Sequence, residues 1–114
     1  MKKQLKLAWL AGLIDGEGSF GIYDRSVSLR INLIEQDKFV LEEVQKIAGG
    51  RLNYNSLLNK KNPKWNNQWC WSLYRHRDML ALCKKLYPYL ILKKKDCKKM
   101  MDFIEKKVKM KYGV

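Results

Sequence analysis

The chain has 114 residues, and its 24 lysines and arginines against 11 aspartates and glutamates give a formal net charge of +13. Its length and its 46% hydrophobic content predict a single folded domain over residues 1–114 and exclude a disordered chain. The longest apolar run, 7–14, is too short to span a membrane and is followed by acids instead of a cleavage site, so neither a transmembrane helix nor a signal peptide is expected.

The first predicted element is a buried apolar helix over residues 5–14, which Gly16 and Gly18 then break. Four residues share one stripe of this helix at spacings of three and four: Ala8, Ala11, Gly12 and Asp15. The missing side chain of Gly12 allows another backbone to come close.

Two strands and a helix are predicted next. Residues 19–24 alternate as a strand, and residues 27–33 form the clearest strand, apolar at odd positions and polar at even ones. Asp37 is expected to cap a helix that Gly49 and Gly50 end.

The second half predicts a strand over residues 51–55, a polar loop over 59–67 and an alternating strand over 68–74. Asp78 is expected to cap a helix with four inward residues: Met79, Leu82, Cys83 and Leu86. The last helix is predicted over residues 96–112, with an apolar stripe of Cys97, Met100, Met101, Ile104 and Val108.

The order αββαββαα predicts an α+β domain, in which two hairpins make a four-stranded antiparallel sheet with helices on one face. No element remains to cover the other face, which carries Arg30, Asn32, Asn53 and Gln68. These side-chain types pair bidentately with base edges, and the net charge calls for a polyanion. The face therefore predicts DNA or RNA binding, with a solvated sheet face or an anionic membrane surface as the alternatives.

Asp15 and Glu17 are unexpected beside a DNA-binding face, because carboxylates repel phosphate. A divalent metal removes this conflict, since Mg²⁺ bridges carboxylates to phosphate oxygens and activates water for phosphodiester cleavage. Simple polarity at a helix end is the alternative, which the negative end of the helix dipole disfavours.

Residues 10–18 resemble the LAGLIDADG signature of homing endonucleases, with seven of nine positions identical and Glu17 keeping a carboxylate. Residues 34–50 and 87–95 are similar to later segments of the family. The resemblance implies a site-specific double-strand DNA endonuclease that cleaves a long pseudo-palindromic target with Mg²⁺ or another divalent cation such as Mn²⁺.

The resemblance also implies roles for individual residues. Glu17 holds the place of the essential metal-binding acid, and the carbonyl of Gly16 that of a second ligand. Gln36 is placed as the residue that positions water, with Glu35 as the alternative register. Lys93, with Lys94 as its alternative, is placed as the lysine that approaches the scissile phosphate, and Asp15 as a structural acid.

One copy of the signature implies a homodimer through Ala8, Ala11, Gly12 and Asp15, whose two sheets form a saddle on the DNA. The DNA-facing set is expected to be Tyr23, Arg25, Ser28, Arg30, Asn32, Arg51, Asn53, Asn55, Gln68 and Cys70. Arg75 and the lysines of loop 60–64 are expected on phosphates, Trp69 and Trp71 in the core, and Trp65 in either place.

Two alternatives remain within the same fold: a catalytically silent nucleic-acid-binding module and an intron RNA maturase. A membrane-surface role is disfavoured, because the core needs the apolar stripe of the last helix. The three cysteines, Cys70, Cys83 and Cys97, form no close pair in the sequence and no metal-ligand spacing. They predict reduced thiols in an intracellular, reducing compartment.

Overall fold

The computed structural model describes residues 2–55 and 67–112, with side chains through residue 108, and its elements follow the predicted order αββαββαα. The helices are α1 (Lys3–Glu17), α2 (Lys38–Ala48), α3 (His76–Leu86) and α4 (Lys94–Tyr112). The strands are β1 (Gly18–Ile22), β2 (Val27–Ile34), β3 (Arg51–Asn55) and β4 (Gln68–Leu73). Short 3-10 turns, Glu35–Asp37 and Tyr87–Tyr89, follow β2 and α3.

The described strands form one antiparallel sheet in the order β1-β2-β4-β3, so β4 lies between β2 and β3. Leu29 of β2 lies opposite Phe20 on one side and Leu73 on the other, and Ile31 lies opposite Trp71. Because side chains alternate along a strand, these residues share one apolar face and the residues between them share the other.

Helices cover the apolar face and confirm the predicted α+β class. Leu29, Ile31 and Trp71 are fully buried and belong to one cluster with residues of every described α-helix. The helical members are Leu10, Ala11 and Ile14 from α1, Leu41 and Val44 from α2, Met79, Leu82, Cys83 and Leu86 from α3, and Cys97, Met100 and Ile104 from α4. Full burial of one large apolar side chain contributes about 1.5–3 kcal/mol.

A glycine pair joins α2 to β3 and confirms the predicted helix stop. Gly49 and Gly50 have φ angles of 71° and 90°, which side-chain-bearing residues rarely adopt. The indole Nε1 of Trp71 donates a 2.6 Å hydrogen bond to the carbonyl of Gly49. A Cβ on Gly50 would lie 2.6 Å from that same Nε1, so this turn fixes α2 against the centre of the sheet.

Several helix ends differ from the prediction. Helix α1 continues through Gly16 to Glu17, and the N–H of Gly18 then bonds to the carbonyl of Ile14. Asp37 precedes α2 without capping it through its side chain, and its backbone, with φ −98° and ψ 14°, is not in the extended conformation typical of an N-cap. Asp78 lies within the first turn of α3, which begins at His76.

Two features of α4 also depart from expectation. Val108, expected in the apolar stripe, is 45% exposed. Cys83 and Cys97 are distant in sequence but meet in the core, where the Sγ of Cys97 lies 3.5 Å from the carbonyl of Cys83. In the described part of the chain, no helix has the length and apolarity needed to cross a membrane.

Candidate active site and nucleic-acid interface

The C-terminal end of α1 is joined to the segment before α4 by the side chain of Asp15. Its Oδ2 accepts a 2.8 Å hydrogen bond from the backbone N–H of Ile91, and its Oδ1 accepts a 2.9 Å bond from that of Lys93. Partial burial opposes ionisation, but these N–H groups, that of Leu92 and the Lys93 charge outweigh it and lower the pKa of Asp15. The expected structural role of Asp15 therefore has a physical basis.

The same contact brings a lysine to the end of α1. The Nζ of Lys93 donates a 2.7 Å hydrogen bond to the backbone carbonyl of Asp15, next to Gly16 and Glu17. The Nζ of Lys94 instead lies over the ring of Tyr87, 4.8 Å from its centroid. Of the two candidate lysines, Lys93 is thus the one directed at the predicted active site.

Glu17 is the last residue of α1, and its side chain is exposed. It makes no ion pair with any other residue that the structure describes. A Cβ on Gly16 would meet no atom within 4 Å, so the backbone beside Glu17 is open to approach. The last carbonyls of a helix also lack intrahelical donors, which leaves that of Gly16 available as an oxygen ligand.

The Glu17 carboxylate and the Gly16 carbonyl suit a hard divalent cation that keeps water ligands better than a metal ion enclosed by protein ligands alone. Within the described ranges, no three His, Cys, Asp or Glu residues come together as a possible metal cage. One carboxylate and one backbone carbonyl per chain suit Mg²⁺, which keeps several waters and binds phosphate oxygens. A structural zinc site would need four protein ligands.

Gln36 follows β2 at the same end of the sheet as the end of α1. Gly18, the first residue of β1, lies opposite Ile31, so the chain beyond Ile31 continues past the start of β1 toward α1. Glu35 and Gln36 are both exposed there, but the carboxylate of Glu35 interacts with the hydroxyl of Tyr54. This favours Gln36 over the alternative register at Glu35.

The face of the sheet opposite the helices carries polar side chains in rows that cross the strands. One row joins four residues in adjacent strands: Ser19, Arg30, Ser72 and Arg51. The next row joins Asn32, Cys70 and Asn53, and a third joins Ile34, Gln68 and Asn55. Because adjacent strands lie about 4.8 Å apart, these rows form a regular grid of donors and acceptors.

Most of the predicted DNA-facing residues lie on this grid and reach solvent. Arg30, Asn32, Arg51 and Asn53 are exposed, and Asn55, Gln68 and Cys70 are half-buried. Partial burial raises the pKa of the Cys70 thiol, although the charge of Arg30 opposes the shift. Arg25, in the turn after β1, and Arg75, which precedes α3, are exposed at the rim.

The prediction that Ser28 contacts DNA is wrong, because its side chain is only 3% exposed. A Cβ placed on Gly21 would lie 2.8 Å from both the Oγ of Ser28 and the hydroxyl oxygen of Tyr23. The Tyr23 side chain therefore folds back across Gly21 toward Ser28. Tyr23 itself remains 55% exposed and presents its ring at this end of the face.

The predicted DNA-facing set omits several members of this face, among them Ser72 and Ile34. Ser72 lies between Arg30 and Arg51 in the first row and is fully buried. It shares a face with Gln68 and Cys70, because side chains alternate along its strand. That alternation was the signal that would have found it. Ile34, 36% exposed, is an apolar residue on the same face.

The outer side of α1 matches the predicted dimer stripe only in part. A Cβ on Gly12 would meet nothing within 4 Å, and Ala8 is half-buried. Ala11, however, is fully buried in the core of its own chain, so the prediction that it lies in the dimer interface is wrong. Trp69 and Trp71 lie on the core face as expected, whereas Trp65 and the lysines of loop 60–64 lie outside the described residues.

Comparison with known proteins agrees with this geometry. The DNA endonuclease I-CvuI of Chlorella vulgaris is 29% identical over 114 residues, and the match covers 90% of this chain and 66% of the length of I-CvuI. The crystal structure of the homing endonuclease I-CvuI in complex with its target in the presence of Ca gives a TM-score of 0.75 over 91% of this chain and 68% of that chain. The homing endonuclease I-TnaI, 21% identical, gives a TM-score of 0.67 over 99% of this chain and 76% of that chain and supports the fold alone.

A family model described as the LAGLIDADG-like domain matches residues 4–104. This range begins in α1, includes the whole sheet and ends in α4. The protein therefore belongs to the LAGLIDADG-like domain family.

Proposed function

We propose that this protein is a site-specific double-strand DNA endonuclease that acts as a homodimer with a divalent cation. The observation that carries the proposal is the double contact between Asp15 and Lys93. The Asp15 carboxylate fixes the backbone of Lys93, and the Asp15 carbonyl accepts a hydrogen bond from the Lys93 ammonium at the end of α1, which Glu17 terminates. A polar and basic sheet face adjoins this point. I-CvuI, which is a DNA endonuclease and has been crystallised with its target in the presence of Ca, supports the same activity here.

The chain's own residues divide the work of phosphodiester hydrolysis. The sheet face binds the DNA, with side chains on base edges and rim arginines on phosphates. Lys93 neutralises charge on the scissile phosphate, because its ammonium is already held at the site. Gln36 orients the attacking water through its amide group.

Glu17 and the carbonyl of Gly16 are the groups that would hold the cation. When bound, a cation such as Mg²⁺ supplies an activated water and steadies the leaving oxygen. Each chain supplies one Glu17, so two chains meeting at the ends of their α1 helices would gather two such carboxylates. A cation between them also removes the repulsion of this like-charge pair.

The dimer is supported by an apolar surface around α1. Leu5 and Trp9 on this helix are 57% and 37% exposed, and Gly12 leaves open space beside them. Ile91 and Leu92, held next to the α1 end by Asp15, are 87% and 75% exposed. A second copy packed on α1 would cover this surface and give one active site for each DNA strand.

The decisive experiment separates cleavage from binding. Wild-type protein first selects its target from a randomised duplex library, and cleavage of that target is then measured with Mg²⁺. Glu17→Gln and Lys93→Met are expected to lower the cleavage rate by roughly a hundredfold or more while they bind the target. Lys94→Met is the matched control and is expected to cleave nearly as fast as wild type, because Lys94 lies over Tyr87.

Cleavage by Glu17→Gln at the wild-type rate would overturn the assignment of the site. Tight binding of RNA without cleavage of any duplex would instead favour a maturase or a silent binding module. Light scattering of the free and DNA-bound protein tests the dimer separately, since a monomer in both states contradicts it.

A further inference from the structure

Arg30 has a partner on the sheet face that neither the sequence pattern nor the active site explains. Its guanidinium carbon lies over the ring of Tyr74, 5.8 Å from the centroid. Tyr74 directly follows β4 and shares a face with Ser72, two residues earlier. Since Ser72 lies opposite Arg30, Tyr74 is the diagonal neighbour of Arg30, within reach of a long side chain.

Among the residues that the structure describes, none forms an ion pair with Arg30. Ser72, directly opposite, is fully buried, yet its Oγ has no hydrogen-bond partner, so it does not bond the guanidinium. The Tyr74 ring is therefore the side-chain group over which the structure places this guanidinium.

A guanidinium placed in this way retains its hydrogen-bonding capacity. Attraction to the face of an aromatic ring is electrostatic, and it leaves the N–H donors of the guanidinium available to other partners. A fork of two such donors matches the O6 and N7 acceptors that guanine presents in the major groove. Tyr74 remains 43% exposed, so DNA can reach the pair of Arg30 and Tyr74.

We propose that Tyr74 is a specificity-determining residue, which positions Arg30 to read a guanine in each half of the target. The proposal rests on the proposed DNA-binding function and adds a residue that the predicted DNA-facing set does not contain. Ordering Arg30 before binding lowers the entropy lost when it pairs with the base. Because Arg30 reads one base in each half of the target, loss of the Tyr74 ring is expected to change the preference at that base position alone.

The test is selection of duplexes from a randomised library, followed by sequencing of the bound fraction. Wild type is expected to select guanine at a position where Arg30→Ala loses that preference. Tyr74→Phe keeps the ring and is expected to keep the preference. Tyr74→Ala and Tyr74→Leu are expected to weaken it roughly two- to fivefold at that position alone.

Controls separate positioning from folding. Tyr74→Leu retains apolar bulk, and its melting temperature shows whether the sheet is intact. Arg51→Ala is the matched control, because Arg51 flanks Ser72 from the other side and should change preference at a different position.

Unchanged guanine preference in both Tyr74→Ala and Tyr74→Leu would overturn the inference, and so would a loss as large in Tyr74→Phe as in Tyr74→Ala. In either case a wild-type protein that still selects and cleaves a defined sequence leaves the proposed function standing. Wild-type protein that selects no sequence would overturn the proposed function and this inference together.

Discussion

Replacing Asp15 by asparagine tests whether this residue holds the active site together. The carboxylate accepts one N–H on each oxygen, that of Ile91 on Oδ2 and that of Lys93 on Oδ1. Asparagine has a single acceptor oxygen, and its amide N–H₂ would face the second N–H group. The variant therefore loses one charge-assisted hydrogen bond and weakens the other.

Loss of a hydrogen bond to a charged group costs about 1.5–3 kcal/mol. The Ile91 bond lies at an exposed site, where water partly replaces the lost acceptor. We therefore expect the lower part of this range, about 2 kcal/mol, which lowers the melting temperature of a domain of this size by roughly 6–10 °C. Cleavage should slow further than binding weakens, because the segment that carries Lys93 is no longer fixed to α1.

The assay is thermal unfolding at pH 7 and fixed protomer concentration, since dimerisation shifts the melting temperature with concentration. Asp24→Asn is the matched control, because it removes the same charge from an exposed turn residue. If Asp15→Asn melts at the same temperature as Asp24→Asn, the carboxylate does not hold the two segments together and the reasoning fails.

Three further predictions follow from other features. Folding lowers the pKa of Asp15, so its stabilising contribution is present above the unfolded pKa of about 3.9 and is lost as pH falls through the folded pKa. The difference in unfolding free energy between wild type and Asp15→Asn should therefore shrink below about pH 4. A difference that stays constant with pH would contradict this prediction. Gly12→Leu should fold, because the chain leaves open space there, but it should shift light scattering toward monomer, whereas Glu42→Leu on α2 should not. Gly50→Ala should lower the melting temperature more than Gly49→Ala, since only at Gly50 would a Cβ collide with Trp71; equal losses would show that the positive φ angle alone matters.

Local patterns predicted most of the elements, because they express short-range physics. The strict alternation of residues 27–33 marked β2 and its two faces, which pairing with β1 and β4 confirms. Gly49 and Gly50 marked the end of α2, because their φ angles are accessible mainly to glycine. Such signals involve only neighbouring residues and need no knowledge of the tertiary fold.

Other features depended on packing that one-dimensional patterns do not contain. Ala11 and Gly12 are both small and adjacent, yet only the rotation of α1 on the sheet decides that Ala11 enters the core. The Asp15 contact joins a carboxylate to a backbone N–H that is 76 positions away, and backbone donors leave no mark in a sequence. Ser28 is buried near Gly21, where the Tyr23 side chain also folds back, and the alternation of its strand does not reveal this.

The position of β4 determines how the sheet must assemble. The β1–β2 and β3–β4 pairs each join strands that are consecutive in the chain, whereas β2 pairs with β4 across the intervening α2 and β3. Completion of the sheet is therefore a non-local event, slower than hairpin formation. Until it happens, β2 and β4 both present open edges, which are templates for association with other chains. Conditions that trap the protein before the two hairpins join should consequently produce aggregates and not a smaller folded unit.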